Sequence, residues 1–252
     1  MSSADLATDS FVSRNRGLLA SPVAIGLLAG TLAWYVASAD KIFQDTQALS
    51  WGEKLLPQLK EHLYITFWST LFVVLLAIPL GVFLTRPQFR RFGAPVLAVA
   101  TSGQATPAFG LIVLAFAWLG RGPWTMIWAL TLFAILPVLR NTIVGLEQVD
   151  AAVIEAGRGM GLTRRQALLE IELPLAVPVI LAGVRTALVI NVGMAALGFL
   201  IGGGGLGITI SAGLKLRRNL VLLTGAGMTA IVALTIDWIA AIVERVLRPR
   251  GL

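Results

Sequence analysis

The chain has 252 residues, of which 57% are apolar and only 13% charged, with a net charge of +7. A mean hydropathy of +0.84 excludes an ordinary soluble domain and indicates a polytopic membrane protein. The chain has no cysteine and a single histidine, His62. That excludes disulfides, thiolate metal sites and Cys nucleophiles, and leaves no basis for a His-based zinc site or triad. The positive charge lies in Arg clusters beside apolar runs, as anionic lipid and the positive-inside bias demand, rather than in an aromatic-interleaved nucleic-acid surface.

In chain order, residues 1–16 are polar and end in Arg14 and Arg16. Gly17 to Ala39 is an uncharged run of 23 residues, long enough to span a bilayer. It is expected as a retained membrane helix, although Ala37-Ser38-Ala39 also fits a signal-peptide cleavage site. Residues 40–61 form a polar loop with balanced charge, and His62 to Thr85 is the next apolar run. His62, beside Glu61, is expected as an interfacial anchor. Arg86, Arg90 and Arg91 follow at once and mark a cytoplasmic turn.

Phe92 to Gly120 is uncharged over 29 residues, too long for one straight helix. Pro107, inside ATPAFG, should kink or interrupt it. Gln104, Thr106 and Pro107 then lie at membrane depth, either as a gate or path lining or as a simple kink in a packed helix. Pro123 to Leu146 returns the chain, a polar island occupies 147–173, and Pro174 to Ile201 spans again. Gly202 to Gly207, reading GGGGLG, interrupts next. Gly204 and Gly205 there serve either as a flexible path element or as a plain loop. Leu220 to Leu247 is the last span, followed by Arg248 and Arg250.

These segments predict six spans, with the broken 94–120 unit counted as one. Alternation puts both termini and the 147–173 loop on the cytoplasmic side. Lys and Arg then divide eleven inside to seven outside, with Lys215, Arg217 and Arg218 the awkward outer cluster. Arg185 lies about 16 Å into its span and Asp237 about 14 Å from the same face of the next, at ~1.5 Å per residue. An intramembrane pair between them is expected, snorkelling of Arg185 being the alternative. Asn191, on the same span as Arg185, is a weaker candidate for lining the translocation path.

The island reads DAAVIEAGRGMGLTRRQALLEIELP over residues 150–174. Asp150 can cap a short helix with a small-residue face formed by Ala151, Ala152, Ala156, Gly157 and Gly159. Gly161 breaks that helix, and Thr163 with Gln166 forms a capping-box pattern that restarts it. Val153, Ile154, Leu162, Leu168 and Ile171 supply an apolar side. Arg164 and Arg165 stand in a first turn, where the helix dipole disfavours cations, so they suit an outside partner or lipid phosphates. Pro174 is expected to end the element.

The spacing Glu155-Ala156, Gly161, Ile171, Leu173-Pro174 resembles the EAA loop of bacterial ABC importer permeases, with Gly157 where that family usually has a second Ala. GGGGLG resembles the glycine-rich stretch of the osmolyte, methionine and phosphonate permeases, and LPVLRNTIVGLEQVD with the island resembles the osmoprotectant branch. The resemblance implies an all-α, type I, methionine-permease-like fold. The chain then divides into 1–61, a cytoplasmic N-terminal tail with the first membrane helix and a polar periplasmic loop, a 62–246 permease core carrying the cytoplasmic coupling loop at 150–174, and a short basic cytoplasmic tail at 247–252.

The resemblance further implies a non-catalytic subunit of the bacterial inner membrane, coupled to separate ATPase subunits through Glu155, Ala156, Gly157, Gly161, Ile171, Leu173 and Pro174. ATP and magnesium would be bound by those partners, with no cofactor in this chain. A second permease subunit, identical or paralogous, and a periplasmic or lipid-anchored binding protein would complete the system. The cargo would be glycine betaine, choline, carnitine or a related osmoprotectant, caught in an aromatic cage on the binding protein. The seven Trp of this chain are expected at the interfaces instead. Alternatives are another small solute such as methionine, or an ATP-independent secondary transporter. The absence of a G-x-x-x-x-G-K-[ST] sequence means that this chain is not itself the ATPase.

Overall fold

The structure, a computed structural model, describes the backbone of residues 3–247 and the side chains of residues 20–247. The side chains of Arg14 and Arg16, and the whole of the 248–252 tail with Arg248 and Arg250, lie outside the described residues.

Among the described residues every regular element is a helix. Helix α1 (Ser3–Ser38) leads into short α2 (Phe43–Ala48), and a π turn at Trp51–Leu55 opens α3 (Leu56–Thr85). Then come α4 (Gly93–Ala105), α5 (Ala108–Leu119) and α6 (Pro123–Glu147). The island forms α7 (Ala151–Gly159) and α8 (Arg164–Ala167), followed by α9 (Leu173–Ala195), α10 (Gly207–Leu216) and α11 (Asn219–Leu247). Among the described residues, five stretches are long and apolar enough to cross a bilayer, and the bent α4–α5 pair makes six.

Pairing fixes the directions. Thr131 on α6 donates to the Ser69 carbonyl on α3 at 3.3 Å, and further along Gly81 packs on Thr142, so α3 and α6 run parallel. The α4–α5 pair must therefore carry the chain back across. It is one broken crossing, bent by 99°. Helix α9 runs antiparallel to α6: Asn141 donates to the Val179 carbonyl at 3.1 Å, and Gly145 meets Ala176 and Val179. Leu32 of α1 packs on Gly227 of α11.

Two ends result. One gathers the last turn of α3, the end of α6 and the 150–172 island; the other gathers α2, the start of α3, the glycine stretch and α10.

Helix α6 is the centre, with half of its apolar window buried, against none for α11. Met126, Ile127, Leu130, Val138 and Leu139 fill the seams to α3 and α9. Lipid is as apolar as these side chains, so close packing rather than transfer from water holds the bundle. Gly183 shows the tolerance: an added Cβ would sit 2.8 Å from the Pro137 carbonyl of α6.

Two expectations need correction, and one segment left unassigned above proves helical. The polar 40–61 segment is not a plain loop, since it holds α2 and the first turns of α3. Pro57 lies inside one continuous helix, Trp51–Thr85, where the π turn at Trp51–Leu55 before it accommodates the missing N–H and the ring. The segment after GGGGLG is also helical, as α10. Finally, His62 is fully buried rather than interfacial, its Nε2 2.9 Å from the Val192 carbonyl of α9.

Candidate functional site

The island folds from its own capping chemistry. The Asp150 carboxylate accepts from the Ala152 N–H at 2.8 Å and starts α7. Gly161, at φ +97°, turns the chain where a side chain would be strained. The Thr163–Gln166 capping box is complete: Gln166 N–H donates to Thr163 Oγ1 at 3.3 Å, and Thr163 N–H donates back to Gln166 Oε1 at 3.0 Å.

Pro174 does not end the element. The helix is continuous from Arg164 to Ile201, 38 residues. A π turn at Leu168–Glu172 ends two residues before the proline. Its wider hydrogen-bond spacing accommodates the missing donor and the ring that would break a regular α-helix.

The face of the knob also differs from expectation. Ala151, Ala152, Glu155, Ala156 and Gly159 are exposed, but Gly157 is buried. A Cβ there would run into Ile171 and touch Leu162. Ile171 thus clamps α7 onto the π turn through Gly157, leaving Glu155 and Ala156 presented outward. Val153 is 45% exposed and belongs to the outward face, not the apolar seam. Leu173 and Pro174 are half-buried at the root of α9.

Ion pairs unforeseen in the sequence fasten this end. Arg86, at the end of α3, binds Glu172 of the π turn through two N–H groups at 2.6 and 3.3 Å. Arg90 lies 3.6 Å from Glu147, at the end of α6. A cleft of about 480 Å³ opens between these elements, lined by Arg86, Arg158, Arg164 and Arg165 with Glu172. Arg164 and Arg165 therefore point at a shared basic hollow. The clue available was a carboxylate, Glu172, in an apolar run beginning at the same end as Arg86.

At membrane depth, Thr106 is extended at ψ 135° and Pro107 caps α5, producing the break. Gln104 donates to the Phe133 carbonyl of α6 at 3.0 Å, which braces α4 next to the bend. Asn191 is fully buried and donates to Thr70 Oγ1 of α3 at 3.0 Å, so it joins two spans of the core. Arg185 and Asp237 form a two-point pair at 2.5 and 2.8 Å, with Glu244 3.8 Å from the same guanidinium.

The glycine stretch is tightly held. Gly204 and Gly205 each have φ +90°, Gly205 N–H donates to Glu61 Oε2 at 2.9 Å, and Gly203 N–H donates to the Gly198 carbonyl at 2.8 Å. Thr209 on α10 donates to Gln58 on α3 at 2.6 Å. The awkward basic cluster also finds its reason here. Arg218 makes a two-point pair with Asp45, which is completely buried. The hydrogen bonds from Arg218 hold the Asp45 carboxyl below the usual carboxylate range, against the opposing effect of burial. The partners are 173 residues apart, and nothing local in the sequence links them.

An exposed two-helix knob, built on the spacing above and continuous with a membrane helix, invites comparison with known transport proteins. The model of the binding-protein-dependent transport system inner membrane component family matches residues 77–249. The chain belongs to this family. It is a non-catalytic, membrane-spanning permease subunit of a transport system that works with a binding protein.

The permease is 37% identical over 199 residues to the carnitine transport permease protein OpuCD of Listeria monocytogenes, covering 79% of this chain and 88% of that one. It is 37% identical over 201 residues to the glycine betaine/carnitine/choline permease OpuCB of Bacillus subtilis, covering 80% and 92%. It is 40% identical over 190 residues to the osmoprotectant import permease OsmY of Salmonella typhimurium, covering 75% and 80%. Among solved structures, the inward-facing MetNI methionine ABC transporter matches with a TM-score of 0.68 at 26% identity, over 77% of the permease and 96% of that chain. An amino acid ABC transporter shares the fold, with a TM-score of 0.63 at 19% identity over 75% and 92%.

Proposed function

We propose that the permease imports quaternary-amine osmoprotectants, such as glycine betaine, carnitine or choline, as the membrane subunit of an ATP-driven importer. The observation that carries the coupling half of this reading is the exposed α7–α8 knob, continuous with a membrane-crossing helix. The names of the relatives support the cargo. In this reading Glu155 and Ala156 seat in an ATPase subunit that binds ATP and magnesium, and Gly161 with the Gly157–Ile171 clamp keeps the knob rigid. Two permease subunits form the path, with both chain ends and the knob in the cytoplasm. The α4–α5 break at Gln104, Thr106 and Pro107 lines that path, and the glycine end faces the binding protein. ATP-driven closure does work only if the knob's contacts differ between the two states.

The test is uptake by vesicles holding the permease with its own ATPase and binding protein. Labelled glycine betaine, choline and carnitine should enter in an ATP-dependent manner, and methionine should not compete. Glu155→Arg should reduce uptake at least roughly tenfold, the effect of about 1.4 kcal/mol, while complex assembly is checked separately. Unchanged uptake in Glu155→Arg would overturn the coupling assignment, and exclusive uptake of methionine would overturn the cargo.

A further inference from the structure

Six aromatic rings gather on one outer seam of the bundle. Tyr64, Phe67, Trp68 and Phe72 come from α3; Trp124 and Trp128 come from α6. Because α3 and α6 run parallel, rings spaced three or four residues apart on each helix fall side by side. Tyr64 stands 6.2 Å from Trp68 and 6.3 Å from Trp124, both edge-on. Trp68 lies 5.8 Å from Phe72 and 6.2 Å from Trp124. Phe72 stacks on Trp128 at 4.9 Å with planes 3° apart. One side of Trp68 and Phe72 packs on the core, while Tyr64, Trp124 and Trp128 remain 41%, 49% and 40% exposed.

The column has a mouth. A cleft of about 410 Å³ at the glycine end is lined by Lys60, Glu61, Tyr64 and the backbone of the glycine stretch. Tyr64 is both its wall and the first ring of the column. Glu61 is fixed there, its Oε2 accepting from Gly205 N–H. From Glu61 to Phe72 the column runs roughly 16 Å along α3 at ~1.5 Å per residue. An interfacial aromatic belt occupies one headgroup level, whereas these rings are strung out along the helix axis.

A trimethylammonium group has no N–H to donate and carries a diffuse charge, so π faces and a carboxylate are the groups that attract it. We propose that this column is a transit site for the quaternary ammonium cargo: Glu61 draws the cation in at the glycine end, and the rings carry it inward by successive cation–π contacts. Lys60 at the same mouth gives a carboxylate-bearing cargo a counterpart for its other end. The inference rests on the quaternary-amine reading above. Rings 5–6 Å apart offer several weak positions rather than one deep trap, and a transport path needs steps weak enough to leave.

The test uses the complete importer in vesicles, with labelled choline and glycine betaine as probes. Trp68→Leu and Trp124→Leu keep apolar bulk and remove the π face; Trp68→Phe and Trp124→Phe keep a π face. The Leu variants should lower kcat/KM for uptake by roughly five- to thirtyfold, and the Phe variants by no more than roughly threefold. Site-specific fluorinated Trp at position 68 preserves shape while weakening the ring's field, and uptake should fall stepwise with fluorine number. Glu61→Gln retains an acceptor for Gly205 N–H and should still slow uptake.

Wild-type rates in the Leu variants, equal loss in the Leu and Phe variants, or uptake indifferent to fluorination would overturn the column while leaving the cargo reading intact. A wild-type importer that carries neither probe would overturn the cargo reading, and the column with it.

Discussion

A single missing methyl group sets the shape of the two-helix knob. Gly157 lets Ile171 close over α7, and any side chain there must displace it. Ile171 is flexible at its tip, so Gly157→Ala should retain most uptake. Gly157→Val should overpack the contact at a cost of about 1–3 kcal/mol and splay the knob. ATP hydrolysis and uptake measured together would then show futile hydrolysis, with uptake per ATP falling several-fold. At the other end, Asp45 acts through charge. Its folded carboxyl titrates below its ordinary value, so the stabilisation is complete above about pH 4 and drains only as pH falls through the lowered value. Asp45→Asn should therefore lower the melting temperature by at least roughly 3 °C at pH 7. That gap should stay constant from pH 8 to pH 5 and shrink only in stronger acid. A gap already closing between pH 8 and 6 would assign the effect to another group.

Elements were legible where the sequence carries punctuation. The Asp150 cap, the Thr163–Gln166 box, the Gly161 turn and the break at Pro107 are local chemistry, and each could be read from neighbours in the chain. Pro174 misled because a proline reads as a stop unless the π turn before it is known, and that turn has no sequence signature. The Arg86–Glu172 and Arg218–Asp45 pairs were invisible because charge says nothing of distant partners. Arg185 and Asp237 were exceptions, since equal depth on adjacent antiparallel spans narrows the choice. Their pairing implies a double-mutant signature. Arg185→Leu should lower the melting temperature of the purified permease most, since it leaves Asp237 without its cation at membrane depth, and Asp237→Leu should lower it less, since Glu244 still stands 3.8 Å from the Arg185 guanidinium. The double variant should regain most of the loss. Additive losses would show that each residue serves a different partner.

At the scale of the whole molecule, the parallel α3 and α6 and the antiparallel α9 give the chain two chemically distinct ends, one basic and helical, one rich in glycine. The absence of native cysteine makes their sidedness directly measurable. A membrane-impermeant maleimide should label Lys215→Cys in intact spheroplasts. It should reach Met160→Cys, at a site 80% exposed, only after the membrane is opened. Reversed labelling would invert the topology.

The unbroken 38-residue helix from Arg164 to Ile201 has a mechanical consequence. At ~1.5 Å per residue it is a rod roughly 57 Å long, and a tilt of about 10° around its middle swings its tips roughly 5 Å in opposite senses. One tip is rooted beside the knob and the other abuts the glycine stretch. Movement imposed on the knob therefore arrives at the far face at once, reversed in direction. It needs no relay of side-chain rearrangements through the core, and the Arg185–Asp237 pair sits close to the pivot.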